Sequence, residues 1–139
     1  MNAAPKWFMP VAVLALLWNL LGCFMIWMDA TLTPDAVAAL PADQQAIHAA
    51  RETWMVIGSI VAVAAGALGS LGLVLKRRWA TPLLILSVLG LVVQDLGFAL
   101  ISRTLPIPMA GWIMQGLVLV IAILLVVMAR KAARHGWLR

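Results

Sequence analysis

One carboxylic acid and three carboxamides lie inside long apolar stretches of this sequence. Asp95 follows Gln94 within the run LGLVVQDLGFAL, and Asn19 and Gln115 lie in two other apolar runs. In surroundings poor in water, an acid can exchange protons or bind a cation or a hydroxyl-rich solute, and carboxamides can donate and accept hydrogen bonds. These residue types therefore indicate a polar site within an apolar part of the fold.

The composition predicts that lipid surrounds most of the chain. Of its 139 residues, 65% are hydrophobic and 11% are charged, and the mean hydropathy is +1.05. A soluble domain is about half apolar and about a quarter charged, so this excess cannot be hidden in a small core. The net charge of +5 comes from basic residues at the ends of apolar runs. This pattern, with no basic stripe carrying interleaved aromatics, argues against a nucleic-acid partner.

Four apolar runs have the length of a membrane-spanning helix, about 30 Å at 1.5 Å per residue. They cover residues 7–28, 54–75, 80–101 and 111–129. Backbone groups in lipid must bond within their own segment, so we predict helices, the third beginning at Thr81-Pro82. The fold class we expect is all-α: one membrane domain, residues 1–139, forming an integral membrane four-helix bundle. Small residues at i+4 spacing, such as Gly58, Ala62 and Gly66, favour close helix packing.

The connection between the first two spans, residues 29–53, is the longest one. Thr33-Pro34 and Pro41 resemble helix starts, so we predict short helices over one end of the bundle. The alternative is a frayed, solvated loop. His48, Arg51 and Glu52 would share a helical face over the bundle mouth and form a lid, or else a solvated face.

The distribution of lysine and arginine predicts the orientation. The four-span topology places eight of these ten residues on one side of the membrane, and only Arg51 and Arg103 on the other. The eight are Lys6, Lys76, Arg77, Arg78, Arg130, Lys131, Arg134 and Arg139. The positive-inside rule then places both termini and the tail 130–139 in the cytoplasm, with residues 29–53 outside.

Polar side chains from four spans fall at a similar depth in the predicted outer half. Counting along each helix, Asp95 lies about 10 Å from its outer end, Asn19 about 12 Å, Ser59 about 7 Å and Gln115 about 6 Å. We therefore predict a ligand-binding site that includes these four residues and Gln94. Arg51, reaching in from the loop, is a further candidate partner of Asp95. The alternative is that the polar groups only hydrogen-bond helix to helix.

The sequence does not favour catalysis or metal binding. Cys23 is the one cysteine, and His48 and His135 are far apart in the chain, so no cluster of metal ligands is expected. Asp95 is the one carboxyl group inside a span, and a paired acid–base mechanism would need a second. We expect no cofactor, no metal and no enzymatic activity.

Three segments resemble a group of small proteobacterial membrane proteins that are often labelled sugar transporters. They are LALLWNLLGCF (14–24), GALGSLGLVLKRRWATPLLILSVLGLVVQ (66–94) and TPDAVAALPADQQAI (33–47). The resemblance implies a multi-pass protein of the bacterial inner membrane. It adds Trp18 to the candidate binding residues and supports Asn19 and Gln94, whereas Asp95 lies outside the matching elements.

The function we expect is binding or an accessory role. A polar pocket in the outer half of the bundle would hold a membrane lipid, a small solute or a helix of a partner membrane protein. The alternative is a small oligomeric transporter, solute- or proton-linked. Binding is favoured because the polar groups occupy the outer half and no polar route continues to the cytoplasm. A homo-oligomer is compatible with either function.

Overall fold

A computed structural model describes residues 4–138, and this part of the chain is entirely helical between its loops. Four long helices are joined by short connections, with two short helices between the first and second long ones. In chain order they are α1 (Phe8–Ala30), α2 (Pro34–Ala38), α3 (Ala42–Ala50), α4 (Thr53–Val74), α5 (Ala80–Ser102) and α6 (Met109–Arg134). The predicted all-α fold with short helices between the first two spans is confirmed. Arg139, one of the eight basic residues counted above, lies outside the described residues.

The four long helices are long and apolar enough to cross a membrane. Each contains an 18-residue window of mean hydropathy between 2.1 and 2.7. Their outward faces carry exposed leucine, isoleucine, valine and methionine side chains, which a membrane would cover. The chain is therefore a multi-pass membrane protein. Helices α2 and α3 lie at what we term the loop end of the bundle, and the opposite end, where α1 begins and α6 ends, is the terminal end.

The short helices begin where the sequence indicated. Thr33 Oγ1 accepts a hydrogen bond from the backbone N–H of Ala36 at 3.1 Å, and Pro34 follows at the first helical position. Helix α3 begins after Pro41. The Gln45 carboxamide then donates to the backbone oxygen of Leu40 at 2.7 Å, which fixes α3 against the preceding turn. The segment 31–52 is thus an ordered cap rather than a solvated loop.

Helices α4 and α5 form the most closely packed pair. Helix α4 also packs along α1, and α5 packs along α6, whereas α1 and α6 form no extensive interface. A Cβ atom on Gly90 would lie 2.7 Å from the backbone nitrogen of Ala62 and 2.8 Å from the oxygen of Gly58. Ser87 Oγ donates to the Ala62 oxygen at 2.6 Å across the same seam. The absence of a side chain at position 90 is what lets the two backbones meet.

The terminal end of the bundle is closed by a buried apolar cluster. It contains Phe8, Ala12, Ala15, Leu73, Ala80, Leu84, Leu125, Ala129, Ala132 and Leu138. After α6, Gly136 adopts φ +75°, and the N–H of Trp137 bonds to the Ala132 oxygen at 2.9 Å. This turn places the Trp137 ring edge-on against Phe8, with centroids 5.7 Å apart. The C-terminal turn therefore packs on the start of α1.

Most predicted span ends lie within two residues of the helix ends, and the start of α5 and the end of α6 are instructive exceptions. Helix α5 begins at Ala80 with Trp79 as N-cap, and Thr81 Oγ1 is buried with no hydrogen-bond partner in residues 4–138, so the predicted cap at Thr81 is wrong. Pro82 is tolerated because its missing N–H falls among the unpaired groups of the first turn. Helix α6 continues five residues beyond the predicted end at 129. Basic side chains can extend to head groups there without ending the helix.

Candidate ligand-binding cleft

A cleft of about 370 Å³ lies between α1 and α6, with its floor formed by α4 and α5. Its volume is within the range of about 300–1,000 Å³ that is typical of small-molecule pockets. The lining residues are Trp18, Asn19, Leu21, Gly22, Met25, Ile26, Ala62, Val63, Gly66, Leu84, Ser87, Leu91, Gln94, Met114, Gln115, Val118, Ile121, Ala122 and Leu125. Most of this surface is apolar. The cleft is therefore suited to an acyl or other hydrocarbon chain.

The cleft opens sideways, onto the surface that faces the hydrocarbon of the membrane. Leu21, Met25 and Met114 line it and are 55%, 60% and 52% exposed. They lie on the two helices that form no extensive interface with each other. Methionine side chains are flexible and polarisable, so this mouth can adapt to different hydrocarbon shapes.

A second cavity of about 560 Å³ lies at the loop end beneath α2 and α3. It is more polar than the cleft, and we term it the loop-end cavity. Its lining residues are Ile26, Asp29, Ala30, Leu32, Leu40, Gln44, Ile47, His48, Arg51, Met55, Val56, Ser59, Gln94, Phe98, Ile101 and Gln115. Ile26, Gln94 and Gln115 line both spaces. The cleft and the loop-end cavity therefore adjoin at a neck that carries two carboxamides, the amide neck of Gln94 and Gln115.

A group of charged residues ties the cap to α1. Arg51 donates from a guanidinium nitrogen to Asp29 Oδ2 at 2.6 Å, and the Arg51 side chain also contacts Nδ1 of His48. His48 Nδ1 lies 3.9 Å from the other Asp29 oxygen. We term Asp29, His48 and Arg51 the clasp, because they join the end of α3 to the last turn of α1. Glu52 differs from the other predicted lid residues: it accepts a hydrogen bond from Trp54 Nε1 at 2.5 Å and lines neither cavity.

Asn19 forms a hydrogen bond that joins α1 to α4 at the cleft. Its carboxamide nitrogen donates to the backbone oxygen of Ala15 at 2.9 Å and to Ser70 Oγ at 3.2 Å. The amide oxygen occupies the space that a Cβ on Gly66 would need. Asn19 therefore bonds toward the terminal half rather than to Gln115, although both residues line the cleft. The small residue at position 66 makes room for this bond.

Asp95 does not join the polar groups with which the sequence placed it. It lines neither cavity, and its Oδ1 is buried with no hydrogen-bond partner among residues 4–138. The suggested partner Arg51 pairs with Asp29 instead. Along α5, Leu91 lies one turn before Asp95 and lines the cleft. Phe98 lies one turn after Asp95, and its ring packs edge-on against Trp112 of α6. The ligand role of Asp95 stays a prediction.

The other predicted site residues divide between the two spaces. Trp18 lines the cleft, and Ser59 lines the loop-end cavity while donating to the Met55 oxygen at 3.2 Å. Sequence reasoning missed Asp29 and Gln44, which both line the loop-end cavity. Asp29 ends an apolar run, which is a signal for a helix end, but its pairing with a residue 22 positions later has no sequence signature.

Comparison with known protein families, with curated proteins and with solved structures found no match for this chain. The membership in a proteobacterial group that the resemblance implied therefore stays a prediction. The arrangement of the cleft, the amide neck and the clasp carries the functional argument.

Proposed function

We propose that this protein binds a lipid-like amphiphile. The apolar tail lies in the cleft between α1 and α6, and the polar group lies at the amide neck, toward the loop-end cavity. The observation that supports this most directly is the junction of an apolar space and a polar space at Gln94 and Gln115. An amphiphile fits an apolar space that adjoins a polar one, because burial of its tail is favourable and its polar group needs hydrogen bonds.

The sideways mouth supports access from the membrane. Leu21, Met25 and Met114 border the cleft at hydrocarbon depth, so a tail enters without crossing water. The cap formed by α2 and α3 covers the loop-end cavity, and the clasp holds that cap to α1. In this arrangement the tail exchanges with lipid while the polar group is held under the cap.

The closed terminal end favours binding over passage through the bundle. The part of the apolar cluster that contains Phe8, Leu73 and Ala129 lies beyond the cleft, and the Trp137 turn packs on Phe8. We further propose that this end faces the cytoplasm of a bacterial inner membrane, because the basic residues gather there. Solute transport is the alternative that the resemblance supplies. Uptake of a labelled solute by proteoliposomes, abolished when the cleft is filled, would favour it.

A substitution that fills the cleft tests the proposal, and α6 offers a matched control. Val118 lines the cleft and is partly buried, whereas Val120 is 54% exposed on the outer face of the same helix. We expect Val118→Phe to occupy the space of the tail and Val120→Phe to leave it open. Native mass spectrometry after extraction in mild detergent measures the amphiphile retained by each protein.

The expected result is one retained amphiphile on the wild type and on Val120→Phe. Val118→Phe should retain at least tenfold less, a loss of about 1.4 kcal/mol in binding free energy. Equal retention by the two phenylalanine variants would contradict the proposal. Circular dichroism of both variants checks that each keeps its helices.

A further inference from the structure

We infer that the polar group of the bound amphiphile is uncharged and is held between the carboxamides of Gln94 and Gln115. This inference rests on the proposed function and adds the chemical class of the ligand: a single- or double-chain lipid whose polar group is a hydroxyl, ester or amide. The two glutamines are the polar residues that line both the cleft and the loop-end cavity. The boundary between tail and polar group therefore falls at their level.

The two carboxamides are free to bind. Among residues 4–138, neither Gln94 nor Gln115 makes a side-chain hydrogen bond to the protein, in contrast to Asn19, which is bound to Ser70 and Ala15. Each glutamine offers two N–H donors and an acceptor oxygen. A hydroxyl both donates and accepts, and an ester or amide accepts, so such a group can satisfy the pair without any change in protonation.

The charged groups near the neck are already paired with one another. Within residues 4–138, the ionisable side chains that line either space are Asp29, His48 and Arg51. In the 2.6 Å ion pair between Arg51 and Asp29 the two opposite charges offset each other. An anionic polar group would have to displace Asp29 from Arg51, and a cationic one would have to displace Arg51. Either exchange leaves one charge without its partner.

The depth of the neck also disfavours a charged group. Gln94 lies eight residues before the end of α5 at Ser102, about 12 Å along the helix, and Gln115 lies six residues after Met109, about 9 Å. Both positions fall within the hydrocarbon part of a bilayer about 30 Å thick. A charge held there loses its hydration, whereas a neutral group bound by two carboxamides loses little.

Two probes that differ by one phosphate test the inference. They are monooleoylglycerol and its 3-phosphate, oleoyl lysophosphatidic acid, each titrated into the delipidated full-length protein and read by native mass spectrometry. We expect one monooleoylglycerol to bind per chain and oleoyl lysophosphatidic acid to bind at least tenfold more weakly. The double variant Gln94→Leu/Gln115→Leu should bind monooleoylglycerol about tenfold more weakly, because two hydrogen bonds are lost. Its affinity for oleoyl lysophosphatidic acid should not change.

The outcomes separate this inference from the function on which it rests. If oleoyl lysophosphatidic acid binds at least as tightly as monooleoylglycerol, and Val118→Phe abolishes that binding, the protein binds amphiphiles but the inference of an uncharged polar group is wrong. If monooleoylglycerol binding survives the double leucine variant, the neck does not hold the polar group and the inference is again wrong. If neither probe binds, the proposed function fails with it. The single variant Gln115→Leu, with an intermediate loss expected, gives the same reading should the double variant not fold.

Discussion

The seam between α4 and α5 and the cleft between α1 and α6 are opposite solutions to packing helices in lipid. In the seam, a Cβ on Gly90 would overlap the backbone of α4, and Ser87 bonds across to the Ala62 oxygen. On α6, Gly116 is exposed, and a Cβ placed there would have no atom within 4 Å. Gly90 therefore permits backbone contact in the seam, whereas Gly116 faces open space on the outside of α6.

This difference assigns distinct roles to the helices. The α4–α5 hairpin, joined backbone to backbone, is a rigid wall, because small residues let van der Waals contacts accumulate where lipid offers no hydrophobic drive. Helices α1 and α6 each pack on that hairpin, and the cleft in which we propose that the amphiphile binds lies between them. A binding cleft of this kind needs a fixed floor and an adaptable mouth.

The largest effect should come from adding one methyl group to the seam. Gly90→Ala places a carbon within 3 Å of backbone atoms of Gly58 and Ala62, which cannot shift independently of their helix. We expect a destabilisation of about 1–3 kcal/mol. Reversible unfolding by titration with sodium dodecyl sulfate, followed by circular dichroism, measures the change.

Gly116→Ala is the matched control for this prediction. The same methyl group meets open space there, and alanine is the better helix former, so stability should stay the same or rise by roughly 0.5–1 kcal/mol. If both variants lose the same stability, the contrast between a tight seam and a loosely packed α6 does not hold.

A smaller effect should follow from breaking the contact between α1 and α4. Asn19→Leu removes the 3.2 Å bond to Ser70 Oγ and leaves that fully buried hydroxyl without the Asn19 donor. Hydrogen bonds between membrane helices contribute about 0.6 kcal/mol on average and up to about 1.7 kcal/mol. A double-mutant cycle with Ser70→Ala should therefore give a coupling energy within that range.

A coupling energy of zero in this cycle would mean that the Asn19–Ser70 bond does not help to hold α1 against α4. The contact of Cys23 Sγ with the Val63 oxygen at 3.4 Å would still join the two helices. Gly22 lies on the same side of α1 against Val63, so it gives a comparison that lacks a hydrogen bond. Gly22→Ala should show no coupling to Ser70→Ala.

The positions of the spans and of the short helices could be predicted, because they depend on local chemistry. Apolar length defines α1, α4, α5 and α6, and the Thr33-Pro34 pair is a cap whose hydrogen bond spans three residues. The misplaced start of α5 shows the limit of this reasoning. A proline must lie within the first turn of a helix, but it need not be the first helical residue, so Pro82 is compatible with a start at Ala80.

The site could be predicted only in part, because helix rotation is not a local property. Gln94 and Asp95 are adjacent in sequence, yet a rotation of about 100° places Gln94 on the cleft and keeps Asp95 off both cavities. The depth of a residue along its span could be predicted, because it follows from counting residues at a fixed rise. Asn19 and Gln115, predicted at a similar depth, both line the cleft. The pairing of Arg51 with Asp29 depends on how the cap folds over α1, which no spacing in the chain encodes.

A weaker effect is expected at the clasp, on the open side of the comparison. Arg51→Gln removes the ion pair to Asp29, whose side chains are 28% and 38% exposed, so the loss should stay below about 1 kcal/mol. Amide hydrogen exchange in residues 31–50 should rise by up to about fivefold, and exchange in α5 should not change. Arg103→Gln, at the same end of the bundle, is the control. An equal rise in both variants would mean that the charge of the loop end matters rather than the clasp.

The smallest effect should be a gain in stability at the closed end. Lys76, in the turn between α4 and α5, has φ +55°, and the Arg77 N–H bonds to the Gly72 oxygen at 2.8 Å as in a glycine-ended helix. Lys76→Gly removes about 1–2 kcal/mol of strain but frees the unfolded chain, so the net gain should be about 0.5 kcal/mol. Arg77→Gly removes the same charge from a residue without positive φ and should give no gain. The packing of the α4–α5 seam must offset the strain at this turn. If Lys76→Gly stabilises the Gly90→Ala variant more than it stabilises the wild type, the turn and the seam are energetically coupled.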